Sequence, residues 1–162
     1  MTEQPMPEEI QACAFFLADH AVVENGKLYV NGGFWNQVYS AEFPVVRAFA
    51  LAAVLHIPWR KHHHGHAFAV TFEDADGRPL TARFEGQFRV GTSPSMRVGD
   101  FTVMPVAAFV TNFVLDHPAD YAALLAVNDV ELARWRFRAI QAHDPATGTQ
   151  AGAGAAPPPE EL

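Results

Sequence analysis

The chain lacks the sequence features that mark several common classes of protein. Its 162 residues include a single cysteine, Cys13, which excludes a disulfide framework and a cysteine-based zinc module. No apolar run approaches the roughly 18–20 residues that a membrane helix needs, so we expect no membrane partner. The chain starts with an acidic segment, whereas a secretory signal starts with a basic one. We therefore expect a cytoplasmic protein.

Charged residues are also scarce, at 18% of the chain, where an average globular protein has about 25%. The net charge of −7 argues against nucleic acid as a partner, because binding to phosphate needs a basic surface. However, six of the acids lie near the ends: Glu3, Glu8, Glu9, Asp144, Glu160 and Glu161. Residues 10–143 hold 12 acids and 11 bases. This nearly neutral central part weakens the argument against an anionic partner and indicates that one of its faces is covered.

Composition divides the chain into three parts. Residues 1–9 contain two prolines and three glutamates without a hydrophobic pattern, and residues 144–162 are rich in alanine, glycine and proline. Neither segment can bury enough apolar surface to offset the entropy lost on ordering. We therefore predict disordered segments over 1–9 and 144–162, and one folded domain over 10–143.

The folded domain is predicted to consist of β-strands. Residues 82–90 and 132–140 alternate between apolar and polar side chains, which is typical of half-buried strands. The turn-forming segments Asn25-Gly26, Asp74–Gly77 and Asn128-Asp129 separate such runs. Up to nine strands are predicted, over residues 11–18, 27–31, 34–39, 45–56, 66–73, 79–90, 101–114, 120–127 and 130–140. Among these segments, the alanine-rich run at 120–127 is the one for which a helix is the alternative to a strand. This spacing predicts an antiparallel two-sheet β-sandwich, Ig-like or jelly-roll-like.

Two of the predicted strands are apolar on both faces. Residues 45–55 contain one charged side chain, Arg47, and residues 101–115 contain none. A strand with one face in water should not have this composition, and Pro105 predicts an edge or bulged position for the second one. The outward alanines would form a flat, uncharged surface: Ala48, Ala50, Ala52 and, on the proposed neighbouring strand, Ala67 and Ala69. Either the chain's own loops and ends cover this surface or another copy does, so we expect a homo-oligomer or another protein as partner.

A cluster of histidines lies in the segment Lys61-His-His-His-Gly-His66. Imidazole is a common ligand of zinc, copper and nickel. In an extended segment, His62, His64 and His66 would lie on one side and form a candidate metal site. A solvated loop and a pH-sensitive contact are the alternatives. No carboxylate or cysteine is spaced to complete a familiar zinc motif, so we predict no cofactor.

Three arginines, Arg134, Arg136 and Arg138, occupy alternate positions of the last predicted strand. This arginine row could bind phosphate or carboxylate groups of an anionic partner, and Arg83 and Arg89 would extend it if their strand were a neighbour. The alternative is a solvated face that protects the sheet against edge-to-edge aggregation. The chain contains no glycine-rich phosphate loop, nucleophile elbow or metalloprotease motif, so no catalytic residue is predicted.

Several turn and core motifs recur in a known family. Leu17–Trp35 contains Leu-Ala-Asp, Gly-Lys-Leu and Gly-Gly-Phe-Trp, followed later by the Asp74–Gly77 hairpin and by Glu131-Leu-Ala133. This pattern resembles a family of short bacterial proteins with no assigned function, over about residues 12–140. The resemblance implies a β-sandwich. It transfers no catalytic residue, and the histidine cluster is not part of the pattern.

The sequence therefore favours a non-enzymatic binding or assembly module that self-associates through its low-charge sheet face. Two alternatives remain open. One is a metal-binding protein or metal-dependent enzyme that uses the His62–His66 cluster, and the other is a structural component of a larger particle. The sequence does not indicate a small-molecule ligand.

Overall fold

The protein consists of two β-sheets, as a computed structural model that describes residues 8–142 shows. The nine strands are β1 (Gln11–Glu24), β2 (Lys27–Gly33), β3 (Gln37–Ser40), β4 (Val45–Pro58), β5 (Gly65–Asp74), β6 (Pro79–Arg89), β7 (Phe101–Leu115), β8 (Asp120–Val127) and β9 (Val130–Gln141). The predicted all-β class is confirmed, and the alanine-rich run at 120–127 is a strand. Of the segments predicted to be disordered, residues 1–7 and 144–162 lie outside the described residues. Within 8–142, no helix has the length and hydrophobicity needed to cross a lipid bilayer.

One sheet has four strands in the order β2-β1-β4-β7, and the other has five in the order β3-β9-β8-β5-β6. Three hairpins connect neighbours in these sheets: β1–β2, β5–β6 and β8–β9. Two of them turn through pairs of residues with positive φ, Asn25 (50°) with Gly26 (72°) and Asn128 (50°) with Asp129 (64°). Such pairs match the right-handed twist of the flanking strands. The turn residues named from the sequence therefore form the hairpins.

The third strand corrects the expectation of purely antiparallel pairing. The sequence predicts a strand over 34–39, but β3 covers only Gln37–Ser40 and pairs with β9 in parallel. The reason lies at Phe34, which has a φ of 66° and donates its backbone N–H to the carbonyl of Leu17 at 2.9 Å. The chain therefore leaves the four-stranded sheet at this point and enters the five-stranded sheet as a new edge strand.

The facing sides of the two sheets share one hydrophobic core. Its centre is a group of phenylalanines from both sheets, in which the ring of Phe113 lies 4.7 Å from that of Phe72 and 5.2 Å from that of Phe49. Phe137 of β9 lies 6.4 Å from Phe113. These tilted and edge-to-face pairs add about 0.5–1.5 kcal/mol each to the energy of burial. The aromatic group therefore joins the two sheets.

A second buried cluster lies within the four-stranded sheet. This sheet curls until its edge strands β2 and β7 approach each other, although β1 and β4 lie between them. Its buried residues are Phe16, Ala18, Ala21, Ala50 and Ala52. Ala18, Ala50 and Ala52 are 0% exposed. Small side chains permit such a close approach because they occupy little of the space inside the curl.

Candidate functional site

The five alanines predicted to form an interface do not share one surface. Ala48, Ala50 and Ala52 lie on β4 in the four-stranded sheet, whereas Ala67 and Ala69 lie on β5 in the five-stranded sheet. The expectation that β4 and β5 are neighbours is therefore corrected. A short 3-10 turn at residues 59–61 carries the chain from one sheet to the other. Because Ala50 and Ala52 are fully buried within the chain, neither side chain can contact another molecule.

The three histidines predicted as metal ligands are also separated. Residues 62–64 form a turn, in which His63 has a φ of 62°, so the alternation of an extended segment does not apply. His62 and His66 are 3% and 4% exposed, while His64 is exposed. Within residues 8–142, no group of three His, Cys, Asp or Glu side chains is placed to hold a metal ion. The structure thus corrects the expectation that His62, His64 and His66 converge.

Hydrogen bonds occupy both ring nitrogens of His66. Its Nε2 lies 2.8 Å from the carbonyl of Lys61, and since a carbonyl only accepts, Nε2 carries the proton. The Nδ1 atom accepts from the side-chain amide of Asn128 at 3.0 Å, and the amide oxygen of Asn128 accepts from the backbone N–H of Ala67. His66 therefore joins the 3-10 turn to the β8–β9 turn.

Replacing His66 with alanine is expected to lower the free energy of unfolding by about 1–3 kcal/mol, because the buried imidazole and its hydrogen bonds to Lys61 and Asn128 are lost. Urea unfolding of the purified protein measures this change. His64→Ala is the matched control, since its exposed side chain should cost less than about 0.5 kcal/mol. Equal losses in the two variants would show that the hydrogen bonds of His66 contribute nothing to stability.

The arginine row lies along one side of β9, where it lines a shallow groove of about 580 Å³ on the five-stranded sheet. Two of its members are paired with acids. Arg134 forms ion pairs with Glu73 and Glu131, and Arg138 donates from Nε to Asp120 at 2.6 Å. The hydrogen bond from Arg138 holds the pKa of the Asp120 carboxyl below its ordinary value. These charges are therefore largely satisfied within the chain.

Arg136 differs from its two neighbours, because no carboxylate within residues 8–142 forms an ion pair with it. Arg83 and Arg89 lie on β6, which β8 and β5 separate from β9, and Arg83 is paired with Glu85. The wider basic stripe therefore does not form. Binding of an anionic partner by this face stays a prediction, and Arg136 offers its unpaired guanidinium group.

The sheet edges differ in how they are protected against pairing with another chain. A short strand or charged side chains commonly protect an edge. The edge strand β3 has 4 residues, β2 has 7 residues that include a lysine, and β6 carries two arginines and a glutamate. In contrast, β7 has 15 residues, none of them charged. By strand length and charge, β7 is therefore the least protected of the four edges, although Pro105 and the bulge near Asn112 interrupt it locally.

The strand β7 also exposes large apolar side chains. They are Phe101 (41%), Val103 (53%), Phe109 (54%) and Val114 (47%). Pro105 lies on this edge strand, as its missing N–H predicts. The uncharged run at 101–115 is visible in the sequence. Its position at an open edge is known from the structure, in which β7 pairs with β4 and with no other strand of residues 8–142.

Comparisons with known proteins give a family but no activity. A protein-family model described as "Family of unknown function (DUF6941)" matches residues 13–140. No curated protein matches the chain. Among solved structures, the chain is similar to the Pseudomonas fluorescens alkylpurine DNA glycosylase AlkC bound to DNA containing an abasic site analog, at 12% identity and a TM-score of 0.39. The match covers 77% of this chain and 30% of that one.

Proposed function

Because the chain belongs to this family of unknown function, we propose a role from its own surface: it is a non-enzymatic β-sandwich binding module that self-associates through the edge of β7. The observation that carries the proposal is a 15-residue edge strand without a charged residue. Such an edge offers unpaired backbone N–H and C=O groups to another strand. We propose this edge as the interface in place of the alanine surface, because the chain itself buries part of that surface.

If two copies paired their β7 strands about a twofold axis, the unpaired backbone groups of both edges would form hydrogen bonds in a single contact. In an antiparallel arrangement, each strand offers the other the same surface. The two four-stranded sheets would then form one continuous sheet, and the apolar side chains at Phe109 and Val103 would lose contact with water. Pro105 interrupts the backbone ladder locally, so the longer segment after it contributes most of the hydrogen bonds.

Replacing Phe109 with lysine is expected to shift the protein from dimer to monomer at tens of micromolar, because pairing would bring together two like charges and remove apolar contact. Size exclusion with light scattering measures the mass. Val130→Lys is the matched control: Val130 is 60% exposed and lies at the start of β9, away from the β7 edge. This control should remain a dimer.

Two outcomes would contradict the proposal. The unaltered protein could be a monomer at these concentrations, or it could remain a dimer in the Phe109→Lys variant with the same mass as Val130→Lys. Thermal unfolding of both variants shows whether a change of mass reflects the edge or loss of the fold.

A further inference from the structure

A separate cleft opens between the two sheets where β1 and β4 part. Their pairing ends at Ala18 opposite Ala50. Beyond this point, Asp19 and Ala48 line a cleft of about 400 Å³, and Tyr39 of β3 lines it from the other sheet. We call this space the inter-sheet cleft. Its size lies within the range of roughly 300–1,000 Å³ that is usual for small-molecule sites.

Core side chains form the floor of the inter-sheet cleft. Phe49, Leu115 and Phe137 line it, and they are 3%, 1% and 4% exposed because they also belong to the core. The indole of Trp35 stands at 90° to the ring of Phe49 and at 88° to that of Phe137. At the bulge in β4, the small side chain of Ala48 leaves the cleft open. These core side chains close the cleft, and an apolar group of a ligand meets the ring of Tyr39, which is 58% exposed, and the exposed Ala48.

Arg47 supplies a positive charge at this floor. Its Nη2 donates to the carbonyl of Tyr39 at 2.8 Å, which fixes the guanidinium group against β3. A weaker bond of 3.4 Å joins Nη1 to the carbonyl of Val46. Within the described part of the chain, no carboxylate forms an ion pair with Arg47. A guanidinium group has more N–H donors than these two bonds use, so donors remain for an anion.

Asp19 places a negative charge on the same cleft. Its carboxylate lies against the backbone of Gly32, which has a φ of 61°, and a Cβ atom at Gly32 would collide with it. Asp19 forms no ion pair with Arg47, so the two charges are more than 4.0 Å apart. The cleft therefore offers one cation for an anionic group and one anion that repels a second such group.

We propose that the inter-sheet cleft binds a small organic monocarboxylate with an apolar body. The carboxylate pairs with Arg47, in the geometry that guanidinium groups favour, and the apolar body lies against Tyr39 and Ala48, the exposed apolar groups of the cleft. Asp19 selects against ligands with two carboxylates. The charged residues of this site lie on β1 and β4, and β7 contributes only the buried Leu115 at its end, so the site does not depend on self-association through the free edge of β7.

Calorimetric titration of the full chain with phenylacetate tests the site, with uncharged phenylacetamide and the dicarboxylate phenylmalonate as comparison ligands. We expect saturable binding of phenylacetate with one site per chain. Both comparison ligands should bind at least about tenfold more weakly, because one lacks the charge that pairs with Arg47 and the other meets Asp19. Absence of saturable binding by phenylacetate, or equal binding of all three ligands, would overturn the proposal.

Arg47→Gln is expected to weaken phenylacetate binding by about tenfold or more, whereas Arg97→Gln, which removes an exposed arginine outside the cleft, should leave it unchanged. Equal loss in the two variants would mean that overall charge, and not the cleft, attracts the anion. If Arg47→Gln does not fold, Ala48→Phe decides, since a bulky side chain there would fill the cleft. Retained binding in a folded Ala48→Phe protein would overturn the proposal.

Discussion

Replacing Ala52 with lysine is expected to lower the free energy of unfolding by about 3–5 kcal/mol, because it places an unpaired charge among buried apolar groups. Ala52 is 0% exposed and belongs to the cluster of Phe16 and Ala50 inside the curled sheet. A longer side chain also has no free volume there, and overpacking adds to the loss. Urea unfolding followed by circular dichroism measures the change.

Ala48→Lys is the matched control, since Ala48 lies on the same strand but is exposed. Its cost should stay below about 0.5 kcal/mol. The comparison decides whether the chain itself or another copy covers the alanine-rich strand. A small loss in both variants would show that the chain does not cover this face.

Replacing Phe72 with alanine is the second change with a large expected effect, a loss of about 3–5 kcal/mol in the free energy of unfolding. Phe72 is 1% exposed, and its ring on β5 meets Phe113 and Phe49 of the other sheet. The variant therefore removes part of the aromatic group that joins the sheets and leaves a cavity. Differential scanning calorimetry or urea unfolding measures the loss.

Phe109→Ala provides the control for this experiment, because it removes the same group from a site that is 54% exposed. It should cost less than about 1 kcal/mol, as little buried area is lost. Measurements at concentrations where the protein is monomeric separate stability from self-association. A loss below about 1 kcal/mol for Phe72→Ala would contradict the shared core.

Local signals in the sequence predict the strands and hairpins well. Alternation in residues 82–90 and 132–140 and the positive-φ turns at Asn25-Gly26 and Asn128-Asp129 depend only on neighbouring residues. The strand β1 is longer than predicted, reaching Glu24, because its last residues form a ladder with β2. Pairing with a neighbour, which no local pattern reports, extends it.

Contacts between distant parts of the chain explain what could not be predicted. One of the two acids that pair with Arg134, Glu73, lies 61 residues away, so the sequence shows the arginine but not this partner. Likewise, His66 depends on Asn128, 62 residues away. The inter-sheet cleft combines residues of β1, β3, β4, β7 and β9 from two sheets, and no single segment carries its pattern. Pro105 is an exception, because the missing N–H alone indicates an edge.

The parallel pairing of β3 with β9 bears on how the chain folds during synthesis. The bond from the indole of Trp135 to the carbonyl of Trp35 spans 100 residues, and β3 has no other strand partner. The strand β3 therefore cannot form its backbone hydrogen bonds until β9 has left the ribosome. Contacts of such long range slow folding, and the uncharged β7 is synthesised before β9 can complete the second sheet. Nascent chains are thus open to pairing with one another through β7 before each domain is complete.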